Sequence, residues 1–243
     1  MTIRIHGKDV PESLSEIVAP AHTALLVIDM QNDFCATAGS SNQAGGDMSM
    51  FPPVIERIAR FAAAARQAAV PVIHTRMLSL PDGASDSVAW LRLKLRANRN
   101  YQAEDESAFD FTIAGTWGAE FINPLTPHSS DIVVDKYRSS ALHNTPLDDI
   151  LRSHAIQTVL VAGCTTEGCV ESTVRDLSFH DYIPVLLLDC VASDHPDLHD
   201  ASVMVMSAYR ADTATADDVE RCWQRQLSQP EQEKQAWTRA ESV

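Results

Sequence analysis

The chain of 243 residues lacks a hydrophobic run of membrane-spanning length, and basic residues are scarce in it. A transmembrane helix needs about 20 consecutive apolar residues, and the opening segment Met1-Thr-Ile-Arg4 lacks the apolar core of a signal peptide. Nineteen Lys and Arg against 33 Asp and Glu leave a net charge of −14, which repels nucleic acids and anionic membrane surfaces. We therefore expect a cytoplasmic protein with neither a membrane nor a nucleic-acid partner.

Cysteine is also scarce, and the cysteines that occur form no disulfide framework. They are Cys35, Cys164, Cys169, Cys190 and Cys222, an odd number at irregular spacing, so we expect reduced thiols. The chain contains no Gly-x-Ser-x-Gly elbow, Walker loop or Gly-x-Gly-x-x-Gly fingerprint. These absences argue against serine hydrolases, nucleotidases and dehydrogenases.

Short apolar runs rich in β-branched residues alternate with helical patterns, which is typical of βαβ units and a mostly parallel sheet. We predict strands over 23–29, 70–75, 131–135, 157–163 and 184–189. The composition, 45% hydrophobic and 21% charged residues, is that of a globular protein. We expect a three-layer αβα fold with about six strands, in a single domain over 1–243. Its core would span about 20–210, and 211–243 would form a C-terminal helix and tail.

Helices are predicted from periodic apolar residues and from capping residues. They are expected after Pro52-Pro53, from the N-cap Thr145 and Pro146 at N1 to about Ser153, over 194–209, and over 215–227. The stretch 78–127 lacks this rhythm, and a long irregular segment in a compact domain is often functional.

The segment Gly163-Cys-Thr-Thr-Glu-Gly-Cys169 places a thiol shortly after the apolar run 158–162 and at the start of an amphipathic pattern. A strand, a tight turn and a helix with Thr166 as its N-cap would put Cys169 at N3, in the first turn. Unpaired N–H groups and the positive end of the helix dipole favour a thiolate there. Cys169 is therefore a candidate nucleophile, and the alternative is a small buried hydrophobic residue.

Two charged residues, like Cys169, follow apolar runs that are predicted to be strands. Asp29 closes the apolar run 24–28, and Lys136 follows the run 132–135. Each alone is compatible with a polar residue where a buried strand reaches solvent. Parallel α/β folds bind ligands outside the carboxyl ends of their strands, so three complementary groups at three strand ends favour one active site.

Three segments resemble the isochorismatase-like cysteine hydrolases in order and spacing, and the likeness runs from about residue 20 to 210. They are Leu25-Leu-Val-Ile-Asp29-Met-Gln-Asn-Asp-Phe34, Asp135-Lys136-Tyr-Arg-Ser-Ser-Ala141 with Asn144-Thr-Pro-Leu147, and Gly163-Cys-Thr-Thr-Glu-Gly-Cys169-Val-Glu-Ser-Thr173-Val-Arg-Asp176. The resemblance implies a sheet with helices on both faces and a catalytic triad of Cys169, Asp29 and Lys136. It also implies a cis peptide between Cys164 and Thr165, and an oxyanion hole formed by the N–H groups of Thr165 and Cys169.

The residue at the nucleophile position separates the activities of this family. Members that hydrolyse the vinyl ether of isochorismate typically carry glycine there, whereas Cys169 resembles the amidohydrolases that act on N-carbamoylsarcosine, ureidoacrylate or biuret. We therefore expect a cysteine-dependent amidohydrolase that cleaves a C–N bond of a small amide, ureido or N-carbamoyl substrate through a thioester. The alternatives are isochorismatase-type ether hydrolysis and a non-catalytic binding subunit.

The resemblance implies no cofactor. Nicotinamidases of this family carry an Asp-x-His metal motif, and the corresponding stretch here, His74-Thr-Arg-Met77, has none, so no metal is expected. We interpret His74 as a structural histidine. His195 and His199 have the spacing of a metal pair, but Pro196 makes that stretch a helix start, and we interpret them as surface residues.

Substrate contacts are predicted around the triad, at Gln31, Phe34, Trp117 and Ser139. The two aromatic residues are equally compatible with a core or interface position. Ser139 stands where many family members have tyrosine, so the contact made there does not transfer to this chain.

A basic cluster in the segment 90–99 is unusual in so acidic a chain. We favour a solvated face or a subunit contact. The alternative is a lid in which Arg92, Arg96 or Arg99 pairs with a substrate carboxylate. Family members are often dimers or tetramers, and by that resemblance we expect a homo-oligomer.

Overall fold

The structure is a computed structural model, and it describes residues 2–100 and 111–228. The strands are β1 (Ile3–Ile5), β2 (Lys8–Val10), β3 (Thr23–Ile28), β4 (Val72–Met77), β5 (Ile132–Lys136), β6 (Thr158–Cys164), β7 (Ile183–Ala192) and β8 (Asp212–Ala214). Strands β3 to β8 form a parallel sheet in the order β5-β4-β3-β6-β7-β8. Strands β1 and β2 form a separate antiparallel hairpin.

Helices connect these strands. They are α1 (Leu14–Ile17), α2 (Asn32–Cys35), α3 (Ser40–Gln43), α4 (Phe51–Gln67), α5 (Val88–Asn100), α6 (Leu147–Ser153), α7 (Glu171–Phe179), α8 (Pro196–Tyr209) and α9 (Ala216–Ser228). Short 3₁₀ turns span Pro20–His22, Pro81–Gly83 and Trp117–Ala119, and a π-helical turn, Thr166–Val170, leads into α7. Within residues 2–100 and 111–228, none of the helices combines the length and the apolar character required to span a bilayer.

Apolar residues are buried on both faces of the sheet. Alternate residues of a strand point to opposite faces, and every residue of β3 is buried. Leu25 and Val27 pack on the face covered by α4 and α9, whereas Leu26 and Ile28 pack on the face covered by α6, α7 and α8. Because both faces are covered, the central strands are continuous apolar runs rather than alternating ones. The predicted three-layer αβα fold with six strands is confirmed.

The predicted elements differ from the observed ones mainly at their ends. The five predicted strands correspond to β3 to β7, with bounds shifted by a few residues. Strand β8 was not predicted, because three residues are too few to form a periodic pattern. Pro146 is the N-cap of α6 rather than its first residue. The Thr145 hydroxyl accepts from the Leu147 N–H at 3.2 Å, and the helix therefore begins one residue later than expected.

The strand order decides how charged residues meet at the carboxyl edge of the sheet. Strand β3, which precedes Asp29, lies between β4 and β6, whereas β5, which ends at Lys136, is on the far side of β4. Neighbouring strands are about 4.8 Å apart, so a side chain from β5 must cross about 10 Å to reach the end of β3. A lysine, with its four methylene groups, covers most of this span, and the Asp29 side chain covers the rest, so that the two side chains meet.

Gly163, near the end of β6, allows β6 and β3 to approach closely before the turn that carries Cys169. Its φ of +121° is unfavourable for residues with a side chain, and a Cβ there would lie 2.1 Å from the Ile28 carbonyl oxygen. The Ile28 oxygen belongs to the backbone and the Cβ is fixed directly to it, so neither can move aside without shifting a strand.

We expect Gly163→Ala to lower the free energy of unfolding by about 3–5 kcal/mol, because a backbone clash adds to the cost of positive φ. Gly83→Ala is a matched control, since Gly83 also has positive φ (+66°) but no atom within 4 Å of the added Cβ. That control should cost only about 1 kcal/mol. Urea denaturation of the two variants measures the difference, and equal losses would contradict the close approach of β3 and β6.

Candidate active site

Three side chains from three different segments converge at the carboxyl edge of the sheet. The Lys136 ammonium lies 2.6 Å from an Asp29 carboxylate oxygen and 3.3 Å from the Cys169 sulfur. Asp29 and Lys136 are fully buried, and Cys169 is half-buried. The structure thus brings together the three residues that the sequence singled out.

Asp29 is held in place by its own backbone and by the neighbouring strand. Its φ of +51° turns the chain sharply after β3. The Thr75 hydroxyl of β4 donates to the Asp29 carboxylate at 2.7 Å, and the Asp29 N–H donates to the Thr75 carbonyl at 3.2 Å. One carboxylate oxygen therefore contacts a hydroxyl and the other an ammonium, which fixes the orientation of the group.

Lys136 crosses β4 as the strand order requires, and its ammonium is surrounded by acceptors. It donates to the carbonyls of Arg138 at 3.0 Å and Ser139 at 3.1 Å, and it lies 3.6 Å from the Met77 sulfur of β4. Burial is the largest single effect and lowers the pKa of Lys136, but the charge and hydrogen-bond contacts with Asp29 and Cys169 together outweigh it and raise this pKa above its ordinary value. The ammonium therefore remains protonated at neutral pH.

Cys169 lies in a π-helical turn rather than in the first turn of an α-helix. The N–H groups of Gly168 and Val170 both donate to the Thr165 carbonyl, at 3.1 and 3.2 Å. Thr165 is therefore the N-cap, which corrects the prediction that Thr166 is the cap and Cys169 is N3. The hydrogen bond from Val170 to Thr165 joins residues five positions apart, which makes this turn wider than an α-helical one. Helix α7 begins only at Glu171.

The pKa of the Cys169 thiol is shifted in the direction opposite to the expected one. Burial raises this pKa to about 12, the Lys136 charge opposes the shift, and the Asp29 charge adds to it. The prediction of a thiolate stabilised at the helix start is therefore wrong for the resting protein, because desolvation exceeds the attraction of the ammonium. At neutral pH the site holds a neutral thiol beside an ion pair.

The peptide bond between Cys164 and Thr165 is cis, as the resemblance implies. It lies at the junction between β6 and the turn that carries the thiol. The Thr165 carbonyl accepts from residues on either side of Cys169, and the Cys169 N–H lies between these two bonded N–H groups in the chain. The Cys164 sulfur lies 3.3 Å from the Asp29 carbonyl oxygen and 3.9 Å from the Cys35 sulfur.

The four residues predicted to contact substrate occupy different environments. Gln31 is fully buried, and its amide makes three hydrogen bonds to the backbone of Met77 and Ala119, at 2.8, 2.8 and 3.0 Å. Its side chain therefore joins two segments. Phe34 packs partly against the core and lies 5.8 Å from the Phe111 ring.

Trp117 and Ser139 are nearer to solvent. Trp117 is 49% exposed and begins a 3₁₀ turn, and its carbonyl accepts from the Asn32 amide at 2.8 Å. Ser139 is half-buried, and its carbonyl is one of the acceptors of the Lys136 ammonium. Ser139 thus contacts the triad through its backbone, a contact that does not depend on its side chain.

Sequence reasoning missed the residues that support the triad. Thr75 and Met77 lie two residues apart at the end of β4, the strand between β3 and β5. Their position at the end of a central strand is the only feature of the sequence that could have indicated a role in the site. Asp33 was missed as well. Its buried carboxylate accepts from the Thr112 N–H at 2.6 Å and from the Ser40 hydroxyl at 2.9 Å, which connects two loops beside the site.

The basic segment forms α5, and its cations do not share one environment. Lys94 is buried and contacts Asp86 at 2.6 Å. Arg92 and Arg96 are exposed, as expected for a solvated face, and the side chain of Arg99 lies outside the described residues. The structure does not bring Arg92 or Arg96 together with the triad.

The three histidines that the sequence singled out have different surroundings, and only His199 contacts the turn that carries Cys169. His74 is buried in the middle of β4, 3.3 Å from Asp131, and burial lowers its pKa to about 4. His195 is the N-cap residue of α8, and His199 contacts the Thr166 hydroxyl at 2.8 Å. Within the ranges that the structure describes, no group of three or more His, Cys, Asp or Glu side chains is arranged to hold a metal ion.

The opposing effects of Asp29 and Lys136 on the thiol predict a measurable change in its reactivity. Asp29→Asn removes a charge that raises the pKa of Cys169 and leaves the one that lowers it. We expect iodoacetamide to alkylate Cys169 about tenfold faster at neutral pH in this variant, since one pKa unit changes the thiolate fraction about tenfold. Lys136→Met should slow the same reaction.

Mass spectrometry of the cysteine peptides measures these rates. Cys222 on α9 is an internal control, because its surroundings contain neither of the substituted residues. Its rate should be the same in all three proteins. An unchanged or slower rate at Cys169 in the Asp29→Asn variant would contradict the assigned electrostatics.

The chain is similar to known proteins over most of its length. A model of the isochorismatase domain matches residues 23–218. The ureidoacrylate amidohydrolase RutB of Methylobacterium radiotolerans is 36% identical over 205 residues, which cover 82% of this chain and 79% of that protein. The ureidoacrylate amidohydrolase RutB of Methylorubrum extorquens is 38% identical over 178 residues, covering 72% of this chain and 71% of that protein.

Solved structures show the same architecture. A cysteine hydrolase from Pseudomonas syringae pv. phaseolicola matches with a TM-score of 0.71 and 26% identity, covering 85% of this chain and 94% of that one. The matched domain spans β3 to β8 and therefore contains all three converging side chains. The chain, with its buried Asp-Lys pair beside a cysteine, belongs to the isochorismatase family.

Proposed function

We propose that this protein is a cysteine-dependent amidohydrolase that cleaves a C–N bond of a small amide, ureido or N-carbamoyl substrate through a thioester intermediate. The observation that carries the proposal is one ammonium in contact with both a carboxylate and a thiol, at 2.6 and 3.3 Å. Family relatives named ureidoacrylate amidohydrolases, at 36 and 38% identity, favour a ureido substrate.

The first step is attack by the thiol on the carbonyl carbon of the substrate. Because the resting thiol is neutral, its proton must leave as the C–S bond forms, and the Asp29 carboxylate accepts it. The electron pair of the C=O bond moves to the oxygen. We assign the N–H groups of Thr165 and Cys169 to stabilise that oxyanion; removing one such donor typically slows catalysis by about 10²–10³.

The second step breaks the C–N bond. The oxyanion returns its electron pair to carbon, and Asp29 gives its proton to the departing nitrogen, which leaves as ammonia or an amine. A thioester remains on Cys169. Water then attacks this thioester and gives one proton to Asp29, which passes it to the departing sulfur, so the free thiol, the carboxylate and an acid or carbamate are formed.

The positive charge of Lys136 compensates the negative charge of Asp29 at rest and the negative charge that develops during the reaction. Its raised pKa keeps it protonated throughout, so it does not act as the proton carrier. It orients the Asp29 carboxylate through direct contact and offsets negative charge that develops on the sulfur. The net charge of the three side chains and the substrate stays constant through the attack, because the proton moves only from sulfur to Asp29.

Phe34, Trp117 and the backbone of Ser139 are proposed to border the substrate. We also propose that the protein is a single-domain homo-oligomer of the cytoplasm. Large apolar side chains exposed on several helices, among them Val88, Phe179 and Met204, support association. The free cysteines support a reducing compartment.

Substitution of the nucleophile tests the mechanism. We expect Cys169→Ala and Cys169→Ser to reduce kcat at least about 10⁴-fold, because neither replacement supports a thioester. Cys222→Ala, which changes a cysteine on α9, should leave kcat unchanged. Retained cleavage of the C–N bond in a folded Cys169→Ala protein would contradict thioester chemistry.

The substrate class is tested by ammonia release. A panel should contain N-carbamoyl acids, ureas, aliphatic amides and aromatic amides, each assayed with the unmodified protein and with the Cys169→Ala variant. We expect Cys169-dependent ammonia release to be fastest with ureido compounds, since their scissile group is that of the relatives. Faster turnover of an aromatic amide, or none of any member, would reject a ureido substrate.

A further inference from the structure

Helix α8 contacts the turn that carries Cys169 through the side chain of His199. The His199 Nδ1 atom lies 2.8 Å from the Thr166 hydroxyl, and Thr166 is fully buried within that turn. Buried polar groups are almost always hydrogen-bonded, because a buried hydroxyl without a partner is costly. In the part of the chain that the structure describes, His199 is the only hydrogen-bond partner of this hydroxyl. The contact therefore compensates for the burial of Thr166.

A second residue of α8, Ser202, contributes less to holding Thr166. The Ser202 oxygen lies 3.3 Å from the Thr166 carbonyl oxygen, but it lies closer to the Glu171 carboxylate. A serine hydroxyl has a single proton to donate, and a nearby carboxylate is a stronger acceptor than a carbonyl. The main polar contact between α8 and Thr166 is therefore the one made by His199.

His199 is itself held by the first turn of α8. Its N–H donates to the His195 carbonyl at 2.9 Å, and its side chain is half-buried. Burial lowers the pKa of His199 below its ordinary value, so the ring is neutral at neutral pH. A neutral imidazole has one nitrogen that accepts and one that donates. The Nδ1 atom therefore either accepts the Thr166 proton or donates to the Thr166 oxygen, and both bonds require a polar atom at this position of the side chain.

Thr166 directly follows Thr165, whose backbone organises the turn. The Thr165 carbonyl accepts from the N–H groups of Gly168 and Val170, on either side of Cys169 in the chain. This carbonyl belongs to the peptide group that joins Thr165 to Thr166. A contact that fixes Thr166 therefore also fixes the direction of the Thr165 carbonyl, and with it the turn between Thr165 and Val170.

We infer that His199 is a positioning residue of the reaction, which acts through Thr166 to align the N–H groups of Thr165 and Cys169 that we assign to the oxyanion. This inference rests on the proposed function. The oxyanion exists only after the thiol has attacked, so misaligned donors weaken the transition state and leave the binding of substrate intact. Loss of the contact should therefore lower kcat and leave KM nearly unchanged.

The test compares two replacements of the same shape at position 199. Leucine and asparagine both branch at Cγ, but only asparagine places a donor and an acceptor where Nδ1 stands. We expect His199→Leu to lower kcat about 10- to 100-fold and to change KM less than about threefold, because small displacements at a reacting centre are costly. His199→Asn should restore kcat to within about threefold of the unmodified protein, since it keeps the hydrogen bond. Ammonia release from the panel compound that is cleaved fastest measures both constants.

Two further variants control for other effects. Thr166→Val removes the other partner of the bond and should lower kcat as His199→Leu does. The double variant should lose no more than the worse single one, because the same contact is lost only once. Leu198→Asn makes the same leucine-to-asparagine exchange at the neighbouring, exposed position of α8 and should leave kcat unchanged. Urea denaturation shows that each variant is folded under the assay conditions.

Hydrogen–deuterium exchange of the backbone amides of residues 164–170 adds a measurement that needs no substrate. We expect these amides to exchange about tenfold faster in His199→Leu and Thr166→Val than in the unmodified protein and His199→Asn, because the turn opens more often without its contact to α8. Equal exchange in all four proteins would overturn the inference.

The kinetic results also decide the inference. An unchanged kcat in folded His199→Leu, a rise in KM in place of the fall in kcat, or no recovery in His199→Asn would each overturn it. If His199→Leu does not fold, Thr166→Val carries the test with the same expected and contrary results. If the unmodified protein cleaves no compound of the panel, the proposed function fails, and the exchange measurement decides separately whether His199 holds the turn.

Discussion

The buried ion pair between Asp29 and Lys136 is the interaction on which the rest of this site depends. Two charges removed from water are costly, and their attraction compensates only when their other bonding positions are satisfied. The Thr75 hydroxyl satisfies the carboxylate, and the carbonyls of Arg138 and Ser139 satisfy the ammonium. The pair is thus anchored by atoms from several segments. Burial, rather than the ion pair, keeps the neighbouring thiol neutral at rest, and the Asp29 carboxylate is the base that we propose accepts its proton.

The strand order explains why these residue types occupy these positions. Asp29 and the cis bond at Cys164 follow adjacent strands, so short connections bring the carboxylate and the nucleophile turn together. Lys136 comes from two strands away and must pass over β4. A shorter cationic side chain on β5 would not reach Asp29. A cation exposed to solvent would lose the contact with Asp29 that raises its pKa. The length of lysine and the burial of its ammonium are therefore both consequences of the topology.

The surroundings of the triad are harder to predict from sequence than the triad itself, for identifiable reasons. Gln31 and Phe34 lie in a segment that resembles the family, but a sequence segment does not reveal whether a side chain faces a cavity or the backbone. The thiol's pKa was predicted in the wrong direction because local helix geometry favours a thiolate, whereas burial, which no local pattern reports, opposes it more strongly.

The sequence by itself determined the fold class, the central strands and the three converging residues. Continuous apolar runs specify strands buried on both faces, and functional groups placed directly after such strands must meet at one edge of a parallel sheet. Only the tertiary structure decided the protonation of Cys169, the π-helical turn and the carbonyl acceptors around the Lys136 ammonium. These depend on desolvation, on local backbone geometry and on how separate segments pack together. All three are properties of packing, and packing is set by contacts between residues far apart in the chain.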